Sequence, residues 1–205
     1  MPGLYIITGS NGAGKSTVGY SYFPEHITSI FDGDKLYLET KSRLWKDGIK
    51  VQKELNIRAS DFVEKEFLRL AEAALKSKTD FAYEGHFSKE ESWNIVNVFK
   101  KEGYSLHLVF FCLNSPELSS NRVLIRAKEG GHFVDALTLR ENFFGNLEQL
   151  NKRFKIFDTI FILDTSTMEH MQLMIINTGT VQESVTADQL PEWFHKTLPD
   201  LVALI

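Results

Sequence analysis

The stretch Gly9-Ser10-Asn11-Gly12-Ala13-Gly14-Lys15-Ser16-Thr17 decides the fold of this chain, and it follows directly on the apolar run Leu4-Tyr5-Ile6-Ile7. From Gly9 to Ser16 it spells G-x-x-x-x-G-K-S. A strand that runs through such a turn into a helix points backbone N–H groups at phosphate oxygens. Glycine permits the wrap, the lysine sets a cation near the β- and γ-phosphates, and the hydroxyl after it ligates Mg2+. Gly9, Ser10, Asn11, Gly12, Ala13, Gly14, Lys15, Ser16 and Thr17 are therefore expected to bind ATP, with Ser16 on the Mg2+ ion. The pattern predicts a helix from Lys15 to Tyr22 that aims its positive end at the phosphates and stops before Phe23-Pro24.

Working outward, apolar runs recur at 4–7, 27–31, 80–83, 106–113 and 159–163, separated by segments long enough for helices. That rhythm predicts a three-layer α/β/α fold of the P-loop NTPase, nucleoside-kinase-like kind, with a mainly parallel sheet covered on both faces. Ser60 to Ser77 carries Phe62, Val63, Phe67, Leu70, Ala71, Ala74 and Leu75 at helical spacing, with Ser60 placed as N-cap. Lys89 to Lys101 carries Trp93, Val96 and Phe99 on one helix face, expected to be core. Past Asp164 the pattern weakens: Met171 to Asn177 reads as a strand, Gly179 as a turn, and Leu190 to Leu198 as a terminal helix with Pro191 near its start.

The whole chain of 205 residues, 43% hydrophobic and 24% charged, suits one domain over 1–205, with a C-terminal extension over 166–205. A net charge of −4 offers no overall basic field, which argues against nucleic acid as a main partner. No window reaches the length of a membrane span and no leader pattern opens the chain, so the expectation is a cytoplasmic protein without a membrane partner. Cys112 is the single cysteine, set in an apolar run, and is expected to be a buried small residue.

Phe31-Asp32-Gly33-Asp34 falls just past the second apolar run, where the carboxyl ends of strands open on the ligand crevice. Phosphorylation of a hydroxyl requires a carboxylate to orient it and take its proton, and a second carboxylate can serve the metal. Asp34 is the expected base and Asp32 the metal partner. Glu84 ends the third run and, with His86, is expected beside the substrate; no histidine stands at zinc-ligand spacing from His86. Arg122 and Arg126 lie four apart on a helix from Pro116 to Lys128. Gly130-Gly131 breaks that helix, and Asp135 to Arg153 resumes it with Arg140. This layout over 116–153 predicts a lid whose Arg122, Arg126 and Arg140 stabilise the transferred phosphate and exclude water.

Residues 4–164 resemble the zeta-toxin-like P-loop kinases. The resemblance rests on G-S-N-G-A-G-K-S-T, F-D-G-D, F-A-Y-E-G-H-F-S, S-P-E-L-S-S-N-R-V-L-I-R, and G-G-H-F-V followed by L-R-E-N-F. It implies a nucleoside-kinase-like sheet and ATP-dependent phosphorylation of a sugar hydroxyl on UDP-N-acetylglucosamine. Lys15 matches the Walker lysine, Asp34 the base, Glu84 the strand-end glutamate, and Arg122, Arg126 and Arg140 the lid arginines. It also brings a small antitoxin-type protein into view as a partner. The chain departs from the family at Asp32, where many relatives carry asparagine, and at Gly85-His86, where others carry threonines.

Two other classes stay open on the sequence. One is an ATPase or nucleotide switch, supported by Ile160-Phe161-Ile162-Leu163-Asp164, which reads as a Walker B strand. The other is a toxin-like protein whose partner blocks the nucleotide site.

Overall fold

The computed structural model describes residues 1–129, 131 and 134–205. Strand β1 (Gly3–Gly9) is buried at every position. Because alternate strand residues point to opposite faces, this means cover on both sides of the sheet, as the continuous apolar run requires. The described strands form one sheet: β2 (Phe31–Asp32), β3 (Phe81–Glu84), β1, β4 (Ser105–Cys112), β5 (Thr159–Asp164), β6 (Met171–Asn177) and β7 (Thr180–Ser184), in that spatial order. From β2 through β5 every neighbouring pair is parallel, while β6 and β7 add on antiparallel. Thus β1 lies between β3 and β4, and the residues at the carboxyl ends of these strands converge on one crevice.

The glycine-rich turn passes into a short helix, α1 (Lys15–Val18), which tightens to 3₁₀ over Gly19–Tyr22 and ends before Pro24, within the predicted span. The second run contributes less strand than expected. Only Phe31 and Asp32 pair, and Asp32 then caps α2 (Gly33–Lys46) by accepting the Lys35 N–H at 2.9 Å. Nothing in the periodicity marked that helix. Helix α3 (Gln52–Ser77) begins eight residues before the expected cap. Ser60 is interior to it, because Leu55 and Ala59 are buried and extend the packing face towards the N-terminus.

Helix α4 (Asn94–Lys101), preceded by a 3₁₀ turn over Glu90–Trp93, places Trp93, Val96 and Phe99 in the core as expected. Helices α5 (Pro116–Lys128) and α6 (Ala136–Arg153) match the predicted pair, with Ser115 and Asp135 as N-caps. The glycine break between them falls partly on Gly130, outside the described residues. Cys112 is fully buried. The tail closes the sheet: Thr178 and Gly179, both at positive φ, form the two-residue turn that joins β6 to β7. Helices α7 (Glu192–Thr197) and α8 (Pro199–Val202) pack on α6 through fully buried Phe194, Leu198 and Leu201.

Candidate active site

The P-loop is held from outside by its carbonyls. Ser119 Oγ donates to Asn11 O at 2.7 Å, Arg122 Nη1 to Gly12 O at 3.3 Å, and Thr165 Oγ1 to Ala13 O at 2.9 Å. With those carbonyls engaged, the loop keeps one conformation, the precondition for a phosphate cradle. Gly9, at φ 128°, ends β1 so close to β4 that a Cβ there would lie 2.0 Å from Phe111 O. Gly12, at φ 72°, lies against α5, where a Cβ would meet Arg122 Cβ at 2.9 Å.

Lys15 is buried, and its Nζ donates to Gly9 O at 3.2 Å and Ser10 O at 3.1 Å, with Glu84 Oε1 at 3.8 Å. Ser16 Oγ donates to Glu84 Oε2 at 2.8 Å. Burial pulls the Lys15 ammonium below the ordinary lysine range, against the attraction of Glu84, Asp34 and Asp32. Burial likewise pushes the Glu84 carboxyl above its usual range, opposed by Lys15 and the Ser16 hydroxyl. The sequence motif and the strand-end glutamate, far apart in the chain, are thus brought into direct contact.

A cavity of about 270 Å³ opens over the P-loop, with Lys15, Ser16, Asp32, Asp34, Glu84 and Arg126 in its walls. A larger cavity of about 570 Å³ lies between α2, α3 and the ends of β2 and β3, and Asp32, Asp34 and Glu84 line it too. These three carboxylates stand on the partition between the two spaces. The arrangement can hold a phosphate chain on one side and a hydroxyl compound on the other, with acids at the junction.

The lid arginines separate. Arg126 reaches the phosphate cavity. Arg122, expected there too, is instead spent on backbone: besides Gly12 O it donates to Thr165 O at 2.7 Å and Ser166 O at 2.9 Å. Sharing a helix face with Arg126 brought it towards the site, but it lies one turn nearer the loop, where free carbonyls take its planar fork. Arg140 is exposed and stacks on Phe144, its guanidinium 5.2 Å from the ring centroid. Asp164, the Walker B candidate, accepts the Ser166 N–H at 2.8 Å and also the Ser166 hydroxyl. It is not a wall residue of the phosphate cavity. The carboxylate beside Ser16 is Glu84, on a strand adjacent to β1.

His86 lines the larger cavity, but its nitrogens address the loop and α6. Nε2 lies 3.2 Å from Asn11 Nδ2, and Nδ1 lies 3.5 Å from Asn146 Nδ2. Burial, aided by Lys15, lowers its pKa to about 3, so the imidazole is neutral. Asn142 Nδ2 donates to Asn11 Oδ1 at 3.0 Å, and buried Asn146 accepts the Phe87 N–H at 2.7 Å. Sequence reasoning missed Ser119, Thr165, Asn142 and Asn146. Their only signal was a cluster of small polar residues at buried helix or strand-end positions.

A glycine-rich loop between β1 and α1, its lysine and serine facing a strand-end glutamate in a mostly parallel sheet, defines a P-loop nucleotide-binding α/β protein. Residues 1–172 match the zeta toxin family model, and the chain belongs to that family. It is a nucleotide-dependent phosphotransferase of the kinase type. Among curated proteins it is similar to an uncharacterized protein of Haemophilus influenzae, 25% identical over 127 residues, which span 62% of this chain and 81% of the relative.

Its fold resembles the PezAT chromosomal toxin–antitoxin system of Streptococcus pneumoniae, with TM-score 0.62 and 20% identity over 98% of this chain and 78% of that one. It also resembles the AvrRxo1-ORF1:-ORF2 complex with ATP, with TM-score 0.66 and 16% identity over 100% of this chain and 76% of that one. Among the described residues, no helix is long and apolar enough to cross a membrane.

Proposed function

We propose that this protein transfers the γ-phosphate of Mg-ATP to a hydroxyl of a small molecule. The observation that carries the reading is the pair of cavities sharing Asp32, Asp34 and Glu84. In this reading the phosphates lie along the P-loop, with Lys15 leaving its carbonyl partners to meet the β- and γ-phosphates and Arg126 above them. The acceptor hydroxyl lies in the larger cavity. Its oxygen forms the new bond to the γ-phosphorus as the bond to ADP breaks, and its proton passes to Asp34, in the first turn of α2. Arg140 would join only if the α5–α6 connection closed.

The donor set fits Mg2+. Ser16 Oγ and a Glu84 carboxylate oxygen lie 2.8 Å apart, with Asp32 in the same wall. Among the described residues no three histidine, cysteine or acidic side chains converge as a closed metal site. An ion here would complete its shell with phosphate oxygens and water, the habit of Mg2+ in phosphoryl-transfer sites. Bound there, it would neutralise charge on the β- and γ-oxygens. Use of Mg-ATP accords with action in the cytoplasm. The UDP-sugar implied by the resemblance is one candidate acceptor.

The test is transfer of label from γ-labelled Mg-ATP to a panel of hydroxyl compounds, beside phosphate release and an Asp34→Asn control. The reading expects a labelled acceptor, with transfer lowered at least ~10²-fold by Asp34→Asn while ATP binding persists. Rapid phosphate release with no labelled acceptor would instead establish an ATPase.

A second reading adds an antitoxin-type partner over the nucleotide site. It is favoured by the toxin–antitoxin system named among the structural neighbours. Growth arrest on expression, relieved by Lys15→Ala, would support it; unimpaired growth with active enzyme would remove it.

A further inference from the structure

We infer that the phosphate acceptor is a non-anionic alcohol, uncharged or bearing an amine and carrying an aromatic or aliphatic body, rather than a nucleoside diphosphate sugar. The inference rests on the phosphotransfer reading for the place of the acceptor and adds its chemical class.

The acceptor cavity does not end at α3. A second cavity, of about 600 Å³, shares Glu64, Phe67, Glu84, Gly85 and His86 with it, so the two form one cleft along β3. The cations along this cleft are confined to its phosphate end, whereas carboxylates run its whole length. Lys15, Lys35 and Arg126 all line the phosphate cavity, where ATP would engage them. Among the described residues, neither acceptor space has a lysine or arginine in its wall, whereas Asp34, Glu64, Glu84 and Glu91 do line them. Lys41 packs its Nζ 5.1 Å from the Tyr37 ring centroid and is not a wall residue.

Two helix starts border the cleft: the 3₁₀ turn before α4, which carries Glu90 and Glu91 in its first turn, and the N-terminus of α2. Asp32 accepts the Lys35 N–H there, and Asp34 stands in the first turn. A diphosphate is ordinarily met by guanidinium, ammonium or free backbone N–H groups, and an acidic wall repels it.

The rest of the lining states what does fit. Phe67 sits at the centre of an aromatic floor, 5.3 Å from the Phe31 ring and 5.2 Å from the Tyr83 ring, and Phe87 follows at 5.9 Å from Tyr83. Ile95 and Val98 extend the apolar wall. Tyr83 Oη, buried and without a hydrogen-bond partner among the described residues, leaves one unmet polar atom in this wall. Aromatic faces with carboxylates around them accept an apolar body or an ammonium, by burial and by cation–π attraction.

The experiment is calorimetric titration of the full chain, loaded with Mg-ADP, with one scaffold in three charge states. The probes are phenylserinol (an aromatic amino diol), its uncharged N-acetyl form and its anionic N-succinyl form, with UDP-N-acetylglucosamine alongside. The amine and acetyl forms should bind at least ~10-fold more tightly than the succinyl form or the UDP-sugar, the scale of like-charge exclusion. Glu64→Lys, at an exposed position, should weaken the amine form several-fold and narrow the gap to the succinyl form. Equal or tighter binding of the UDP-sugar or the succinyl form, absence of binding by every diol, or indifference to Glu64→Lys would each overturn the inference. Adding labelled Mg-ATP to the same samples separates the two claims. Binding in the expected order with no transfer to any diol would count against the cleft as the acceptor place and leave its charge selection supported.

Discussion

Ser16 Oγ donates a 2.8 Å hydrogen bond to Glu84 Oε2, joining the P-loop to the end of β3 across 68 residues of chain. The same carboxylate lies 3.8 Å from Lys15 Nζ. Glu84 therefore holds both P-loop side chains, Lys15 and Ser16, and in the proposed reading it releases or shares them as Lys15 meets the phosphates and Ser16 the metal.

Glu84→Gln should keep the fold and nucleotide binding without metal, because an amide is isosteric and still accepts from Ser16. It should raise the Mg2+ concentration needed for transfer by at least about 10-fold, since even a partner that only orients a ligand is worth roughly 10- to 100-fold in metal affinity. An Mg2+ titration of transfer measures this, and an unchanged half-saturation point would remove Glu84 from the metal shell.

Arg122 and Arg126 share a helix face but should behave as different kinds of residue. Loss of the three carbonyl bonds in Arg122→Ala should cost about 2 kcal/mol, lowering Tm by roughly 4–8 °C for a chain of this size. Arg126→Ala should leave Tm within about 1 °C and lower transfer at saturating ATP. Thermal melts run beside kinetics decide it; equal Tm losses in both variants would contradict the division.

His86 links stability to pH with a definite sign. Its folded pKa, about 3, lies below its ordinary 6.5, so the unfolded chain takes up the proton first. The contribution is full above pH 6.5 and falls as pH drops from 6.5 towards 3, by at most about 1.4 kcal/mol per pH unit. Urea unfolding at pH 7 and pH 5 should show a smaller difference in His86→Asn than in the wild type. Equal differences would mean that the imidazole is not held neutral.

Asn146→Ala strands the Phe87 N–H and removes a neighbour of His86. A cost of about 1–3 kcal/mol is expected, the penalty for an unmet buried donor. Because Asn142 bonds both Ser88 and Asn11, Asn142→Ala should instead act on the loop and raise KM for ATP. Chemical denaturation and ATP titration of both variants compare the two effects.

The sequence by itself determined the P-loop, the parallel strands beside it and the helix pair at α5 and α6. Those features rest on local rules: glycine where the backbone must wrap, continuous apolar runs where both faces are covered, and serine or aspartate at helix starts. It also singled out Glu84, since a carboxylate at the end of a buried strand faces the crevice whichever strand it follows.

Only the tertiary structure decided which side chains meet. Arg122 and Arg126 are equivalent by helical spacing, and the proximity of Gly12, Thr165 and Ser166 carbonyls diverts one of them. Asp164 and Glu84 are both strand-end acids, and strand order sets Glu84 against Ser16 while Asp164 turns to Ser166. Helix α2 escaped detection because Asp32 reads for its carboxylate chemistry rather than as a cap, and because the helix buries little, Thr40 alone being buried in it. The segregation of cations on one side of the acidic partition from an aromatic, cation-free cleft on the other has no local signature, because its walls come from separate elements brought together only when the sheet assembles.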